Sequence, residues 1–166
     1  MKEKIIFTNG LIDLAQPRLG TKVIYKTDDF FASANRIISP TEPIFKVGVF
    51  DKHGKWMDGW ESRRKRTGGH DFIIIKLGKP GIIKKIDVDT SYFNGNQPAM
   101  ISIEGVNSSS NKLNKIKWQP LLSKKKTKAN NHHYFTINSN KVFTHIKFNI
   151  FPDGGVARLR LYGSIA

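Results

Sequence analysis

His145-Ile146-Lys147-Phe148-Asn149-Ile150 and, beyond the turn Phe151-Pro152-Asp153-Gly154-Gly155, Ala157-Arg158-Leu159-Arg160-Leu161-Tyr162 decide the fold class. Both runs alternate apolar and polar residues. A period of two belongs to a strand with one buried face. The same alternation recurs over 82–90, where Ile86 and Val88 oppose Asp87 and Asp89, and over 100–106, where Ile101 and Ile103 oppose Ser102 and Glu104. Phe72-Ile73-Ile74-Ile75 opens a continuous apolar strand over 72–77, the pattern of a strand buried on both faces. Gly78-Lys79-Pro80-Gly81 reads as a turn after it, and Asn94-Gly95-Asn96 as another. Further short strands are expected over 22–25 and 134–137. One short helix is expected near residues 29–35, with Asp28 or Asp29 as its N-cap. Many strands with turns between them predict an all-β chain: a single antiparallel β-sandwich of jelly-roll type over 1–166. Ile74, Ile86, Val88, Ile101, Ile103, Phe148, Leu159 and Leu161 should form its core.

The chain has 166 residues and a formal net charge of +15, with no cysteine. That size supports a substantial core, and the missing thiols exclude disulfide and thiolate chemistry. The charge implies attraction to anions, whether nucleic acid, acidic surfaces or a small anionic substrate. The apolar run in Met1-Lys2-Glu3-Lys4-Ile5-Ile6-Phe7 is too short for a signal peptide. No stretch reaches transmembrane length, so a cytoplasmic protein without membrane contact is expected. Lys124-Lys125-Lys126-Thr127-Lys128 carries no interleaved aromatic and reads as a solvated loop tip, which ranks nucleic-acid binding last. His132 and His133 are adjacent and would point to opposite faces of a strand, a poor metal pair.

Chemistry concentrates in 54–71, Gly-Lys-Trp-Met-Asp-Gly-Trp-Glu-Ser-Arg-Arg-Lys-Arg-Thr-Gly-Gly-His-Asp. Its glycines mark a loop, and it feeds directly into the apolar strand at Phe72, an arrangement common in binding and catalytic sites. Read plainly, Arg63-Arg64-Lys65-Arg66 is a solvated basic run, Trp56 and Trp60 are packing anchors, and His70 bonds loop backbone. The carboxylates of Glu61 and Asp71 beside them favour a site.

These residues resemble the allantoicase family, ureide hydrolases that cleave allantoate to ureidoglycolate and urea. The likeness begins at Leu14-Ala15-Gln16-Pro17-Arg18-Leu19-Gly20-Thr21 and Thr27-Asp28-Asp29-Phe30-Phe31-Ala32. It is densest in Trp56-Met57-Asp58-Gly59-Trp60-Glu61-Ser62-Arg63-Arg64-Lys65-Arg66 with Gly69-His70-Asp71. It resumes at Ile86-Asp87-Val88-Asp89-Thr90-Ser91-Tyr92-Phe93 with Gly95-Asn96, and closes with Thr144-His145-Ile146 and with Asn149 through Gly163. The resemblance implies a galactose-binding-like jelly roll, in agreement with the strand pattern. Phe72 stands where the family usually has tryptophan. The family usually carries tandem copies of this module and this chain has one, which implies a homo-oligomer or pairing with a second allantoicase-like module.

Breaking a C–N bond of allantoate needs a cation on its carboxylate, an acid for the leaving nitrogen and a base for water. Arg63, Arg64 and Arg158 are the candidate carboxylate anchors. Glu61, His70 and Asp71 are the candidate catalytic acid and base. Asn96, Asn149 and Asp153 suit the ureido groups, which offer donors and acceptors together. If the strands flanking Phe151–Val156 pair as neighbours, Asn149 would face Arg158; if not, both still flank one end of the sandwich. No cofactor is expected; a divalent metal rests on the family resemblance alone. The alternative is a non-catalytic galactose-binding-like module that only binds a ligand.

Overall fold

The computed structural model describes residues 7–110 and 112–166, so the opening run 1–6 lies outside the described residues. The order of strands is β1 (Ile12–Asp13), β2 (Lys22–Lys26), β3 (Phe50–Asp51), β4 (Gly54–Lys55), β5 (Trp60–Glu61), β6 (Asp71–Asp89), β7 (Met100–Val106), β8 (Gln119–Lys126), β9 (His132–Thr136), β10 (Val142–Phe151), β11 (Gly155–Val156) and β12 (Arg158–Ile165). Every pairing is antiparallel.

β6 organises the sandwich. Its first half lies between β2 and β10, with Ile73 opposite Lys26 on one side and Phe148 on the other. Its second half lies between β12 and β9, with Val88 opposite Leu159 and His133. One strand therefore serves both layers, β2-β6-β10-β7-β8 and β1-β12-β6-β9. The turn expected at Gly78-Lys79-Pro80-Gly81 does not form; β6 runs straight through it. Glycine stands there because neighbouring backbone comes close: a Cβ on Gly78 would sit 2.0 Å from the Leu19 carbonyl oxygen. Turn chemistry and close backbone approach call for the same residue.

The layers close over one core. Ile73 and Ile75 from the first half of β6 meet Ile86 and Val88 from the second, with Phe148, Ile150, Leu159 and Leu161 between them. All eight expected core residues are buried. Ile74, at 6% exposure, is buried on the opposite face from Ile73 and Ile75, so the apolar run at 72–77 does cover both faces.

The short helix differs from expectation. It is a 3-10 turn over Ala34–Ile38 with Ser33 at its N-cap; the Ser33 side chain makes no cap, but Asp29, one of the two expected caps, accepts the Ala34 amide on Oδ2 at 3.1 Å. Asp28 is drawn elsewhere: its Oδ1 accepts the Phe30 and Arg63 amides. The basic run at Lys124 closes strand β8 instead of forming a loop tip. Its lysines remain exposed, and lysines on an edge strand discourage further pairing.

The polar face of β12 also departs from the alternating pattern. Arg158, Arg160, Asp87 and Asp89 are buried, not solvated. The segment carrying Arg36, Ser39 and Thr41 covers this face and supplies carbonyl acceptors to both arginines. No helix among the described residues is long and apolar enough to cross a membrane.

Candidate active site

Glu61 sits on β5, a two-residue strand held from both sides. Its amide donates to the Ala32 carbonyl, and its own carbonyl accepts the Phe31 and Ala32 amides. On the other side it is paired with Gly155 of β11. Below it, Trp60 is fully buried and its indole N–H donates to the Asp28 carbonyl at 2.8 Å. The tryptophan is thus the anchor expected of it, and its packing fixes the backbone that presents Glu61.

The Glu61 side chain lines a cavity of about 460 Å³ with Phe31, Ser62, Arg64, Asn96, Gln97 and Asp153, closed by Gly95 and Gly154. Asn96 Nδ2 donates to Glu61 Oε2 at 3.1 Å. Burial raises the Glu61 pKa, the Asn96 amide pulls it back, and the charge of Asp51 raises it again, for a net upward shift. That is the direction a proton-transferring carboxyl needs at neutral pH.

The loop carrying Asn96 rests directly on the Gly154-Gly155 turn. The Gly155 amide donates to the Asn96 carbonyl at 2.7 Å. A Cβ on Gly154, whose φ is +126°, would lie 2.7 Å from that same oxygen, and one on Gly155 would lie 2.0 Å from the Phe93 ring. Only glycine lets Asn96 approach Glu61 this closely. The same turn grips the basic run: Asp153 Oδ2 accepts the Lys65 amide at 2.7 Å, and the Ser62 amide donates to the Gly154 carbonyl at 3.0 Å.

A second cavity of about 280 Å³ adjoins the first through Arg64. It is lined by Asp28, Arg63, Arg64, Lys65, Arg66, Thr67 and Asp71. Arg63 Nε donates to Asp28 Oδ2 at 2.9 Å, and its guanidinium lies 4.8 Å over the Phe30 ring. Burial pushes the Asp28 carboxyl up, but the Phe30 and Arg63 amides and the Arg63 guanidinium outweigh it and hold it below its usual range. Asp71, almost fully buried, accepts from Thr27 Oγ1 at 2.7 Å and pairs with Lys65 Nζ at 3.3 Å. Arg64 has no ion-pair partner among the described residues and borders both cavities.

The structure therefore gathers Glu61, Arg64, Asn96 and Asp153 around one cavity, with Arg63 and Asp71 around its neighbour. It separates the others. His70 Nε2 and Asn149 Oδ1 lie 3.0 Å apart and bind each other, while Asn149 Nδ2 donates to Ser102 Oγ and Glu104 Oε2. Neither lines the Glu61 cavity. Arg158 is 1% exposed and donates to Asp58 Oδ2 at 2.8 Å and to carbonyls of Arg36, Thr41, Asp58 and Ala157. It is a structural brace with no free fork for a substrate carboxylate. β6 separates β10 from β12, so Asn149 and Arg158 do not face each other. Phe31, Ser62 and Gln97 escaped the sequence reading. Gln97 had a signal, being an amide beside Asn96 in a turn; Phe31 and Ser62 had none that distinguishes them from packing residues.

The allantoicase repeat family model matches residues 12–166. The chain belongs to the allantoicase family. This allantoicase-family chain is 53% identical over 153 residues to a probable allantoicase of Pseudomonas fluorescens strain SBW25, covering 92% of this chain and 46% of that protein. It is 48% identical over 157 residues to a probable allantoicase of Acinetobacter baylyi, covering 95% and 47%. The chain thus spans about half the length of the curated relatives it matches. The crystal structure of allantoicase from Saccharomyces cerevisiae superposes with a TM-score of 0.86 at 32% identity, covering 99% of this chain and 52% of that one. A family 32 carbohydrate-binding module from a Clostridium perfringens glycoside hydrolase superposes with a TM-score of 0.67 at 14% identity, a likeness of fold alone. These neighbours agree with the galactose-binding-like sandwich expected from the strand pattern.

A divalent metal finds no ligand set here: among the described residues no three His, Cys, Asp or Glu side chains come together to hold one. His132 is instead tied to Asp87 at 2.8 Å, and His133 to the Val88 carbonyl at 2.8 Å.

Proposed function

We propose that this chain is a single allantoicase module that hydrolyses allantoate to ureidoglycolate and urea, a step of purine (allantoin) degradation, in the cytoplasm. The observation that carries this reading is the Glu61–Asn96 pair in a cavity that also holds Arg64. Arg64 takes the substrate carboxylate, because its guanidinium has no ion-pair partner among the described residues, is planar and can fork onto two oxygens. Asn96 and Gln97 supply amides whose donors and acceptors match a ureido group. Glu61 moves the proton. As a carboxylate it takes one from water while the water oxygen forms its bond to the central carbon. The C–N bond to one ureido group breaks, and the leaving nitrogen collects the proton through the protonated Glu61. Water is consumed, urea and ureidoglycolate leave, and Glu61 returns to its starting state. Arg63, fixed by Asp28, adds positive field from the adjoining cavity, and Asp71 holds Lys65 in that wall. His70 and Asn149 have no part in this scheme.

The test is urea release from allantoate by the purified chain, with allantoate binding measured alongside by calorimetry. Release that follows protein concentration supports the enzyme. Binding without release assigns the cavity to a ligand-binding module instead.

A further inference from the structure

We propose that Asn130 is a positioning residue for the Glu61 cavity: it holds Tyr92 in a left-handed turn and thereby keeps Asn96 against Glu61. Among the described residues, Tyr92 and Asn130 are the two besides glycine with positive φ, at +70° and +47°. Asparagine enters this conformation readily, but a bulky aromatic residue there is an outlier. A conformation that unfavourable persists only where its surroundings enforce it. Asn130 is the enforcing partner. The Tyr92 amide donates to Asn130 Oδ1 at 2.8 Å, and the Asn130 amide donates back to the Phe93 carbonyl at 3.1 Å. The first of these bonds spans 38 residues of sequence, so it is a clasp between distant segments and not part of the local turn.

The clasp sits at the root of the loop that carries the site. Residues 90–99 join β6 to β7, and residues 127–131 join β8 to β9. The second segment grips the first at both ends. Upstream, the Thr90 amide donates to the Asn131 carbonyl at 2.9 Å, and the Thr90 hydroxyl accepts the Asn131 amide at 3.1 Å. Downstream, the Thr127 amide donates to the Ala99 carbonyl at 3.2 Å, and its hydroxyl donates to the Pro98 carbonyl. Between these grips lie Gly95, Asn96 and Gln97, the loop residues that line the Glu61 cavity.

The path from Asn130 to Glu61 is short. The left-handed turn at Tyr92 delivers Phe93, fully buried, onto Gly155. The Gly155 amide donates to the Asn96 carbonyl, and the Asn96 side chain reaches Glu61. Each link after the turn depends on where Phe93 enters. Without the Asn130 oxygen, Tyr92 relaxes toward negative φ, Phe93 shifts on Gly155, and Asn96 moves off the Glu61 carboxylate. Asn130 itself is exposed, so its side chain can be changed without opening the core. The placement of Asn96 rests on geometry; its effect on turnover rests on the ureide reading of the cavity.

Two variants isolate the clasp. Asn130→Gly adopts the left-handed conformation freely but has no side-chain acceptor, whereas Asn130→Asp keeps both properties. The first readout needs no substrate. It is titration of the Glu61 carboxyl by carbon-13 NMR, assigned with Glu61→Gln, in about 0.5 M salt to screen the charge that aspartate adds. Burial raises the Glu61 pKa and the Asn96 amide pulls it back, so losing that amide should move the titration to higher pH in Asn130→Gly and not in Asn130→Asp. The other charges near Glu61 are the same in both variants: Arg64 and Asp153 in its cavity, Asp51 from β3, and Asp28 with Arg63 in the adjoining cavity. Exchange of the Tyr92 amide should quicken about five- to tenfold in Asn130→Gly alone. With allantoate as substrate, KM should rise about three- to tenfold in Asn130→Gly and return to its original value in Asn130→Asp. An Asn130→Gly protein that melts lower but titrates Glu61 as before overturns the proposal, because a purely structural residue behaves that way. So does Asn130→Asp that fails to restore the Glu61 titration. If the unaltered chain releases no urea, the ureide reading fails by itself, while the titration and the exchange still decide whether Asn130 positions Asn96.

Discussion

The guanidinium of Arg158 is enclosed by carbonyls of its own chain and the Asp58 carboxylate, whereas that of Arg64 stands between two cavities with no ion-pair partner among the described residues. The carboxylates divide in the same way. Asp58 is committed to Arg158 and to the Ile44 amide, while the Glu61 carboxylate meets one side-chain amide among the described residues and keeps a side open to the cavity. Charges of the first kind brace the loop that leads to Glu61, since Asp58 lies just before β5 and its carbonyl is also bound by Arg158. Charges of the second kind keep spare hydrogen-bonding capacity for a ligand. A charged residue becomes a candidate for chemistry through what it leaves unsatisfied, and the amount of charge near it says little.

The largest effect should come from emptying the brace. Asp58→Ala leaves Arg158 buried without its counter-charge, which should cost about 3–5 kcal/mol of unfolding free energy in a denaturant titration. A loss well under about 1 kcal/mol would remove the contrast with Arg64, because surface pairs give values of that size. Next, Gly154→Ala puts a Cβ against the Asn96 carbonyl at a backbone angle of +126°. It should cost about 1–3 kcal/mol and reduce turnover in the fraction that remains folded, because Asn96 must move away from Glu61. Arg64→Lys keeps the charge and loses the fork; KM should rise about tenfold while kcat and the melting temperature stay near their original values. An unchanged KM would return Arg64 to the solvated basic run.

The smallest effect is one of position on the pH axis. Glu61 is raised in the folded protein by burial and by Asp51. If it is the base, kcat/KM falls as pH drops through that raised value, at a pH above the ~4.3 of a free glutamate side chain. An acid limb at the free value would show that Glu61 is not the group that titrates.

Much of this architecture was legible in the residues. The alternation at 100–106 matches β7, and Phe148, Leu159, Ile101 and Ile103 are buried as their spacing requires. What the pattern could not convey was what covers each polar face. Arg158 and Asn149 have the same two-residue periodicity as solvated side chains, but Arg158 lies beneath the segment with Arg36 and Thr41, and Asn149 is bound to His70. Contacts made across 79 to 122 residues of sequence leave no local signature. The Gly78–Gly81 stretch failed for another reason, since glycine there relieves a clash with Leu19 and does not turn the chain. The cavity was partly readable: Glu61 and Arg64 came from one dense motif, whereas Asn96 and Asp153 join them only because β11 folds back on β5.

The division between brace and site is tested most directly by measuring turnover and unfolding free energy together for Glu61→Gln and Arg158→Lys. Glu61→Gln should lower kcat by about 10²–10⁴. It should leave stability unchanged or slightly higher at neutral pH. A carboxyl raised on folding contributes stability below its unfolded pKa and loses that contribution as pH rises through its folded value, so removing the buried charge does no harm there. Arg158→Lys cannot span the same acceptors and should lose roughly 1–3 kcal/mol of stability, with kcat/KM of the folded protein retained. The reverse pattern, with Arg158→Lys impairing turnover at full stability and Glu61→Gln turning over normally, would contradict the account.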